Sequence, residues 1–282
     1  MEKKKICLPK NRFELFKEII RNQFSLLLKL GLLTFIILLP IIITFLLVNV
    51  KIYELNLLRL ENQITDSEQI SQTLGYVNGR NLLFVILIPL AFYFLSGIFN
   101  VIRKVVWCEG VIFWHDYKKG LKDNGSYFVI IGLLLGVLFF VFSYSLRQEM
   151  INHSTLNFIS TVLSGIGLLV LILFMPFLLH QTIIYNLKFL YKVKNTLIIF
   201  SKLFYIFIIL ALINIAPFIL LFVNNGALLL VLIILLSIVV IPLLIVINTL
   251  FTDATFDAFI NHLYFKEIYR KGLYNYAEDS DK

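Results

Sequence analysis

The residues best suited to chemistry are a histidine and two aspartates that follow long apolar stretches. His180 comes at the end of one apolar run, and Asp253 and Asp257 come directly after another. A histidine with two carboxylates could bind a metal ion or carry out acid–base catalysis. Asp253 and Asp257 could share a helix face at four-residue spacing, but nothing in the spacing shows that His180 meets them. A membrane enzyme is therefore our third hypothesis, and charges at helix ends are the simpler explanation.

Motifs of common catalytic and cofactor sites do not occur in the chain. There is no Walker A loop, HExxH, GxSxG or GxGxxG pattern, and no CxxC or Cys/His cluster. The two cysteines, Cys7 and Cys108, are expected to be free thiols on the reducing side of the membrane. We therefore predict no enzymatic activity, no cofactor and no metal site.

One strongly polar side chain, Asn214, lies deep inside an apolar run, close to Pro217. Polar groups inside a membrane are costly, so Asn214 is a candidate intramembrane functional residue. The competing interpretation is a hydrogen bond to a neighbouring helix or to carbonyl groups that the proline leaves unbonded. No ionisable residue lies near the centre of any apolar run.

Six long apolar runs must position these residues. Each could span a hydrocarbon core about 30 Å thick, at about 1.5 Å of helix rise per residue. The chain is 60% hydrophobic and 15% charged, with a mean hydropathy of +0.90. Gly132 and Gly136 form a GxxxG pattern that permits close helix approach. We predict an all-α, polytopic transmembrane helical bundle of about six spans, with runs at 24–48, 82–102, 126–146, 157–185, 197–222 and 226–252.

Lysine and arginine residues concentrate on alternate connectors of these spans. The N-terminal segment, the second and fourth connectors and the tail carry seven, five, three and four, whereas the other connectors carry three, one and none. By the positive-inside rule, both termini face the cytoplasm. The net charge of +8 is explained by retention at an anionic cytoplasmic leaflet, so we expect no nucleic-acid binding.

The spans divide the chain into three parts. Residues 1–23 form a basic amphipathic N-terminal segment, 24–252 the transmembrane domain and 253–282 a cytoplasmic C-terminal tail. Within the domain, 49–81 is predicted as an extracytoplasmic loop and 103–125 as a cytoplasmic amphipathic connector. We expect amphipathic helices that lie in the membrane plane on the cytoplasmic side.

The connector carries the predicted contact surface. On a helical wheel most of its aromatic side chains share one arc, and its charged side chains occupy the opposite arc. Both tryptophans of the chain lie here, and amphipathic rings prefer the headgroup zone of a membrane. We predict that a partner or lipid is bound by Arg103, Lys104, Trp107, Trp114, Asp116, Tyr117, Lys118, Lys119, Lys122 and Asn124.

The connector and the residues on either side of it form a recognisable sequence pattern. The stretches GIFNVIRKVVWCEG (97–110), HDYKKGLKDNGSYF (115–128) and VIIGLLLG (129–136) contain an Arg-Lys step and then an Asp-aromatic-Lys run that enters the next span. In this the chain resembles the YesL-like family of small bacterial integral membrane proteins. The matched positions are Arg103, Lys104, Asp116, Tyr117, Lys118, Lys122 and Asn124. The family tends to have proline and then threonine and glycine at the end of the first span; here Pro40 and Thr44 are present with no glycine after them. The resemblance implies little biochemistry beyond an association with carbohydrate uptake.

Two hypotheses from different classes follow. The first is a non-enzymatic accessory or interaction component of the bacterial cytoplasmic membrane, linked to solute uptake. The alternative is a transporter or permease subunit that carries a small solute itself, past Asn214 and proline kinks. Those prolines are Pro40, Pro89, Pro217 and Pro242. The predicted partners are the lipid bilayer and another membrane or ATPase subunit; substrate, partner identity and oligomeric state stay open.

Overall fold

The computed structural model describes residues 8–152, 154–223 and 225–274, and within these ranges it contains helices and no strand. The first five spans are α1 (Arg12–Leu60), α2 (Asp66–Val106), α3 (Phe113–Asn152), α4 (Thr155–Ile184) and α5 (Phe189–Ile215), the last followed by the 3₁₀ segment Ala216–Phe222. The sixth span comprises α6 (Gly226–Leu235), the π segment Leu236–Val240, α7 (Ile241–Phe256), the π segment Asp257–Asn261 and α8 (His262–Tyr264).

Six helices in the described chain are long and apolar enough to cross a membrane, which confirms the predicted all-α bundle of six spans. The helices are longer than the apolar runs that identified them. Helix α1 has 49 residues, whereas the apolar run inside it, 24–48, has 25. The helices therefore continue beyond the apolar runs, and the connectors between them are shorter than predicted.

Contacts divide the chain into two compact units. Unit 1 contains the described residues up to Phe35, those from Leu95 to Asn124 and the described residues from Phe174 onward. Unit 2 contains Ile36–Phe94 and Gly125–Leu173. In unit 2, α2 and α3 approach closely at the predicted GxxxG pattern: a Cβ added at Gly132 would lie 2.9 Å from the Cα of Pro89.

The connector predicted over 103–125 is divided between α2 and α3 rather than forming a separate helix, and an in-plane position stays a prediction. Residues before Trp107 continue α2, and residues from Phe113 onward belong to α3, so only six residues separate the two helices. Cys108 breaks the helical path with a positive φ of 54°. Asp116 then fixes the start of α3, because its Oδ2 accepts a hydrogen bond of 2.8 Å from the backbone N–H of Ile112.

The predicted loop over 49–81 is also mostly helical, since α1 extends to Leu60 and α2 starts at Asp66. A capping box starts α2: Thr65 N–H donates to Glu68 Oε2 at 2.8 Å, and Glu68 N–H donates to Thr65 Oγ1 at 3.3 Å. This Thr-x-x-Glu signal is present in the sequence and outweighs Gly75 and Gly79, which lie inside the helix rather than in a turn.

The two terminal segments differ in how closely they follow the prediction. A break in helical geometry at Gln23, with φ −118° and ψ 15°, separates the start of α1 from its span, at the predicted boundary of the N-terminal segment. The predicted tail begins inside α7, because Asp253 lies one turn before the end of that helix. Cys7 and residues 275–282 lie outside the described residues, and an in-plane position of the first segment stays a prediction.

Candidate functional site

A buried polar network forms around Asp253, entirely within unit 1. Asp253 on α7 is only 2% exposed. His180 Nε2 on α4 lies 2.8 Å from its Oδ1, so the Nε2–H tautomer donates to the carboxylate. Trp107 Nε1 donates to Oδ2 at 3.1 Å. Residues 73 and 146 positions away in sequence thus share one carboxylate, and the histidine and aspartate singled out from the sequence do meet.

Arg12 joins this carboxylate to the second aspartate. Arg12 Nη2 donates to Asp257 Oδ2 at 2.7 Å, and its Nη1 lies 3.8 Å from Asp253 Oδ2. The other oxygen of Asp257 accepts from Asn261 Nδ2 at 2.8 Å and from the backbone N–H of Arg270 at 3.2 Å. Asp253 and Asp257 therefore share a helix face at four-residue spacing and one arginine. We call Arg12, Trp107, His180, Asp253 and Asp257 the Asp253 network.

The same arginine links the two terminal segments. Arg12 Nη1 donates to the backbone oxygen of Lys271 at 3.1 Å, and Tyr274 N–H donates to the Pro9 oxygen at 2.9 Å. Gly272 permits this approach: its φ is +82°, and a Cβ there would lie 2.2 Å from the Val106 oxygen. The network therefore holds the chain near both described ends against the α2–α3 connector.

Two ionisable groups outside the spans have environments that disfavour their charged forms. Tyr185, between α4 and α5, donates to Asn261 Oδ1 at 2.5 Å. Burial, together with the nearby carboxylates Asp253 and Asp257, raises the pKa of Tyr185. Burial likewise raises the pKa of the Cys108 thiol, which donates weakly to the Gly272 oxygen at 3.6 Å. Both groups therefore act as neutral hydrogen-bond donors at neutral pH.

The hydrogen bonds to Asp253 limit the chemistry that the Asp253 network can perform. Each oxygen of Asp253 already has a donor, and His180 is 1% exposed. Acid–base catalysis requires a substrate within hydrogen-bond reach of the base, and these contacts fill that position on Asp253. Within the described chain, no three His, Cys, Asp or Glu residues are grouped closely enough to hold a metal ion.

The predicted contact surface separates into a buried part and an exposed part. Asp116, expected among the exposed charges, is 1% exposed, and its Oδ1 accepts from Lys104 Nζ at 2.7 Å. This corrects the helical-wheel assignment. Tyr117 and Asn124 are also buried, at 6% and 8% exposure. The exposed members are Trp114, Lys118, Lys119 and Lys122.

Two further members of the predicted surface have internal roles. The Arg103 guanidinium lies 4.7 Å from the centroid of the Trp107 ring and donates to the Ile183 oxygen at 3.2 Å. Trp107 is 8% exposed, so its ring is packed in the protein rather than in a headgroup layer. A second cation is close to the same ring, with Lys271 Nζ 4.5 Å from the centroid.

Asn214 forms a reciprocal amide pair with a neighbouring helix. Its Nδ2 donates to Asn248 Oδ1 on α7 at 2.9 Å, and Asn248 Nδ2 donates back to Asn214 Oδ1 at 2.8 Å. A further bond of 2.7 Å runs from Asn214 Nδ2 to the Leu210 oxygen. The interpretation as a hydrogen bond to a neighbouring helix is therefore the one that the structure supports.

We expect Asn214→Leu to destabilise the protein by about 1–2 kcal/mol, because Asn248 loses its partner in a medium without water. The Asn214→Leu/Asn248→Leu double variant should recover part of this loss, since both polar groups are then removed. Thermal unfolding midpoints in one detergent, for the wild type, both single variants and the double variant, measure the coupling. Strictly additive effects would contradict the pairing.

Sequence reasoning missed Arg12 and the role of Trp107. Arg12 was counted only among the positive charges that orient the first span, and Trp107 only as an interfacial aromatic. Their partners are 245 and 146 residues away, so no local pattern contains this information. Comparisons of the chain with protein-family models, with curated proteins and with solved structures each gave no match.

Proposed function

We propose that this membrane protein is a non-enzymatic interaction component that binds an acidic partner protein through the exposed lysines at the start of α3. The observation that carries the proposal is the state of Lys118, Lys119 and Lys122: all three are exposed, and none forms an ion pair within the described residues. Three neighbouring uncompensated cations attract an acidic surface and orient its approach. Trp114, 60% exposed beside them, supplies an aromatic anchor of the kind enriched at interfaces.

The buried neighbours of this surface hold it rigid. The Asp116 carboxylate accepts hydrogen bonds from Lys104 and from the Ile112 N–H. The backbone oxygen of Asp116 accepts from Asn100 Nδ2 at 2.7 Å. Gly120 packs directly on α2, since a Cβ there would lie 2.9 Å from the Gly97 Cα. A helix start fixed on one side presents its lysines in one arrangement, which favours a specific partner over loose attraction.

The location of the surface completes the proposal. The positive-inside pattern favours a cytoplasmic position for this connector in the bacterial cytoplasmic membrane, where soluble and ATPase subunits are available. The YesL-like resemblance covers the same stretch and extends the proposal to solute uptake. Solute carriage by the chain itself has less support, because Asn214, its main candidate, is committed to Asn248. Catalysis has less support because both oxygens of Asp253 already accept hydrogen bonds and His180 is buried.

The test places a photoreactive amino acid at position 114 and crosslinks in native membranes. We expect one reproducible protein adduct, weakened by high salt because exposed charges are screened. A Lys118→Glu/Lys119→Glu/Lys122→Glu variant should lower the adduct yield at least about tenfold, because like charges then face the acidic partner.

A matched variant controls for total charge and for topology. Lys188, Lys194 and Lys202 are also exposed lysines, and all belong to the positive side of the predicted topology. Changing these three to glutamate alters the charge equally and should leave the adduct intact. Lipid adducts alone, or a protein adduct that resists the first variant, would contradict the proposal.

A further inference from the structure

Two arginines of unit 2 lie near each other without a counter-ion. Arg80 on α2 and Arg147 on α3 are both partly buried, and hydrogen bonds through Asn81 and Ser143 connect them. Neither forms an ion pair within the described residues, whereas Arg59 on α1 binds Asp66 at 2.6 Å. Two partly buried cations without a carboxylate are unfavourable unless an opposite charge completes the site.

A chain of neutral side chains connects the two arginines. Arg147 Nη1 donates to Ser143 Oγ at 2.8 Å and its Nη2 to Asn78 Oδ1 at 2.7 Å. Asn81 Nδ2 donates to the same Ser143 Oγ at 2.8 Å, and Arg80 Nε donates to Asn81 Oδ1 at 3.3 Å. The side chains are thus held in place, but none of the acceptors carries a negative charge.

Several donors of this group remain available. A guanidinium has five N–H bonds, and Arg147 Nε is buried without a partner in the described structure. The Arg80 guanidinium lies 5.4 and 5.9 Å from the ring centroids of Phe45 and Phe84, so its planar fork is positioned by aromatic contacts. Ser143 Oγ already accepts two hydrogen bonds, which leaves its own O–H to donate.

Most acidic side chains of the neighbouring segments are engaged elsewhere. Glu54 pairs with Lys51 at 2.7 Å, and Glu68 caps α2 through Thr65. Glu61 accepts from Gln63 Nε2 at 2.9 Å. Glu149 is two residues from Arg147, a spacing that places it on another side of α3, and its buried Oε2 has no hydrogen-bond partner in the described structure. Within the described residues, no carboxylate therefore pairs with Arg80 or Arg147.

The sequence position of the two arginines indicates the level at which the missing anion lies. The predicted apolar runs begin at 82 and end at 146, so Arg80 and Arg147 flank them at the same membrane boundary. Apolar side chains next to them, Leu82 and Leu146, are 57% and 40% exposed and suit contact with acyl chains. This is the level of lipid headgroups, where phosphate groups are concentrated.

We propose that Arg80 and Arg147 form an anion-binding site that takes a phosphate group, with Ser143 as an additional donor. Arginine forks match phosphate oxygens in bidentate geometry, and such charge-assisted bonds are the strong ones. The phosphate can belong to the headgroup of an anionic phospholipid or to a free phosphate compound, and both present the same oxygens to the two guanidinium groups.

The experiment measures which ligands stay bound to the full chain after purification in detergent, and which bind when they are added. Native mass spectrometry and thermal unfolding are recorded with phosphatidylglycerol, with diacylglycerol of the same acyl chains, and with inorganic phosphate. We expect phosphatidylglycerol or phosphate to bind, and diacylglycerol not to. Arg80→Gln/Arg147→Gln should weaken this binding about tenfold to a hundredfold, the effect of losing hydrogen bonds to a charged group. Stabilisation by inorganic phosphate assigns a soluble ligand, and stabilisation by phosphatidylglycerol alone assigns a lipid.

Two controls separate this site from a structural role. Arg59→Gln removes an exposed, ion-paired arginine of the same region and should leave phosphate binding unchanged. In anion-free detergent, Arg80→Gln should be as stable as the wild type or more so, because it removes repulsion from Arg147. Equal binding of phosphatidylglycerol and diacylglycerol by the wild type, with no effect of inorganic phosphate, would overturn the proposal. So would a double variant that keeps wild-type affinity.

Discussion

Asp253→Ala is expected to lower the stability of the protein by about 3 kcal/mol, the loss that follows when two buried donors lose their acceptor at about 1–3 kcal/mol each. Those donors are His180 Nε2 and Trp107 Nε1, which bond to separate oxygens of the carboxylate. Arg12 contributes less to the loss, because it keeps Asp257 at 2.7 Å. The thermal unfolding midpoint should fall by about 10 °C.

The control for this substitution is Asp123→Ala. Asp123 is an exposed carboxylate on α3, and removing it should change the stability by less than about 0.5 kcal/mol. Both variants remove one negative charge, so a shared effect of net charge cancels in the comparison. If Asp253→Ala had the same unfolding midpoint as Asp123→Ala and the wild type, the Asp253 network would not contribute to the stability of the fold.

A double variant separates a structural role from a catalytic one. Replacing a buried polar pair by apolar residues of similar size is often close to neutral, whereas removing one partner is costly. We therefore expect His180→Phe/Asp253→Leu to be more stable than Asp253→Ala. If this double variant also retains the crosslink from position 114, the partner contact does not depend on the His180–Asp253 pair.

The spans of this protein could be predicted because hydrophobicity is a local property of the sequence. Each of the six apolar runs coincides with one helix of spanning length, to within one residue at the ends of the fourth and fifth runs. The ends of the helices were harder to predict, since helix formation depends on capping residues as well as on hydropathy. Thr65 and Glu68 extend α2 far beyond the apolar run, and Asp116 starts α3 inside the predicted connector.

The connector shows why amphipathicity alone does not identify an in-plane helix. A helix end packed against protein and a helix lying on a membrane both have one apolar face. Tyr117 and Trp107 lie on that face and are buried in unit 1, where Trp107 donates to Asp253. A helical wheel shows which side chains share a helix face, but it does not show whether protein or lipid covers that face.

The candidate site was predictable only in part. His180, Asp253 and Asp257 could be recognised as unusual, and the shared helix face of the two aspartates followed from their spacing. Their meeting with Arg12 could not, because Arg12 and Asp257 are 245 residues apart. Such a contact is decided by how α1, α4 and α7 pack, which no single segment of the sequence encodes.

The second large effect is expected at Gly31 in α1, where α1 crosses the π segment Leu236–Val240. A Cβ added at Gly31 would lie 1.7 Å from the backbone oxygen of Ile238 and 2.6 Å from its carbonyl carbon. Backbone atoms cannot rotate away as a side chain can, so α1 would have to move. The contact belongs to unit 1 and sits beside Leu30, a fully buried side chain.

Gly31→Ala should therefore cost about 3 kcal/mol, the upper part of the range for overpacking, and Gly31→Leu should prevent isolation of folded protein. Gly75→Ala is the matched control, because Gly75 also lies inside a helix but has nothing within 4 Å of an added Cβ. That change should stabilise the helix by up to about 1 kcal/mol. Size-exclusion profiles and unfolding midpoints in one detergent measure all three variants. A Gly31→Ala protein as stable as Gly75→Ala would show that α1 does not pass this close to Ile238, and so would place the first span differently in unit 1.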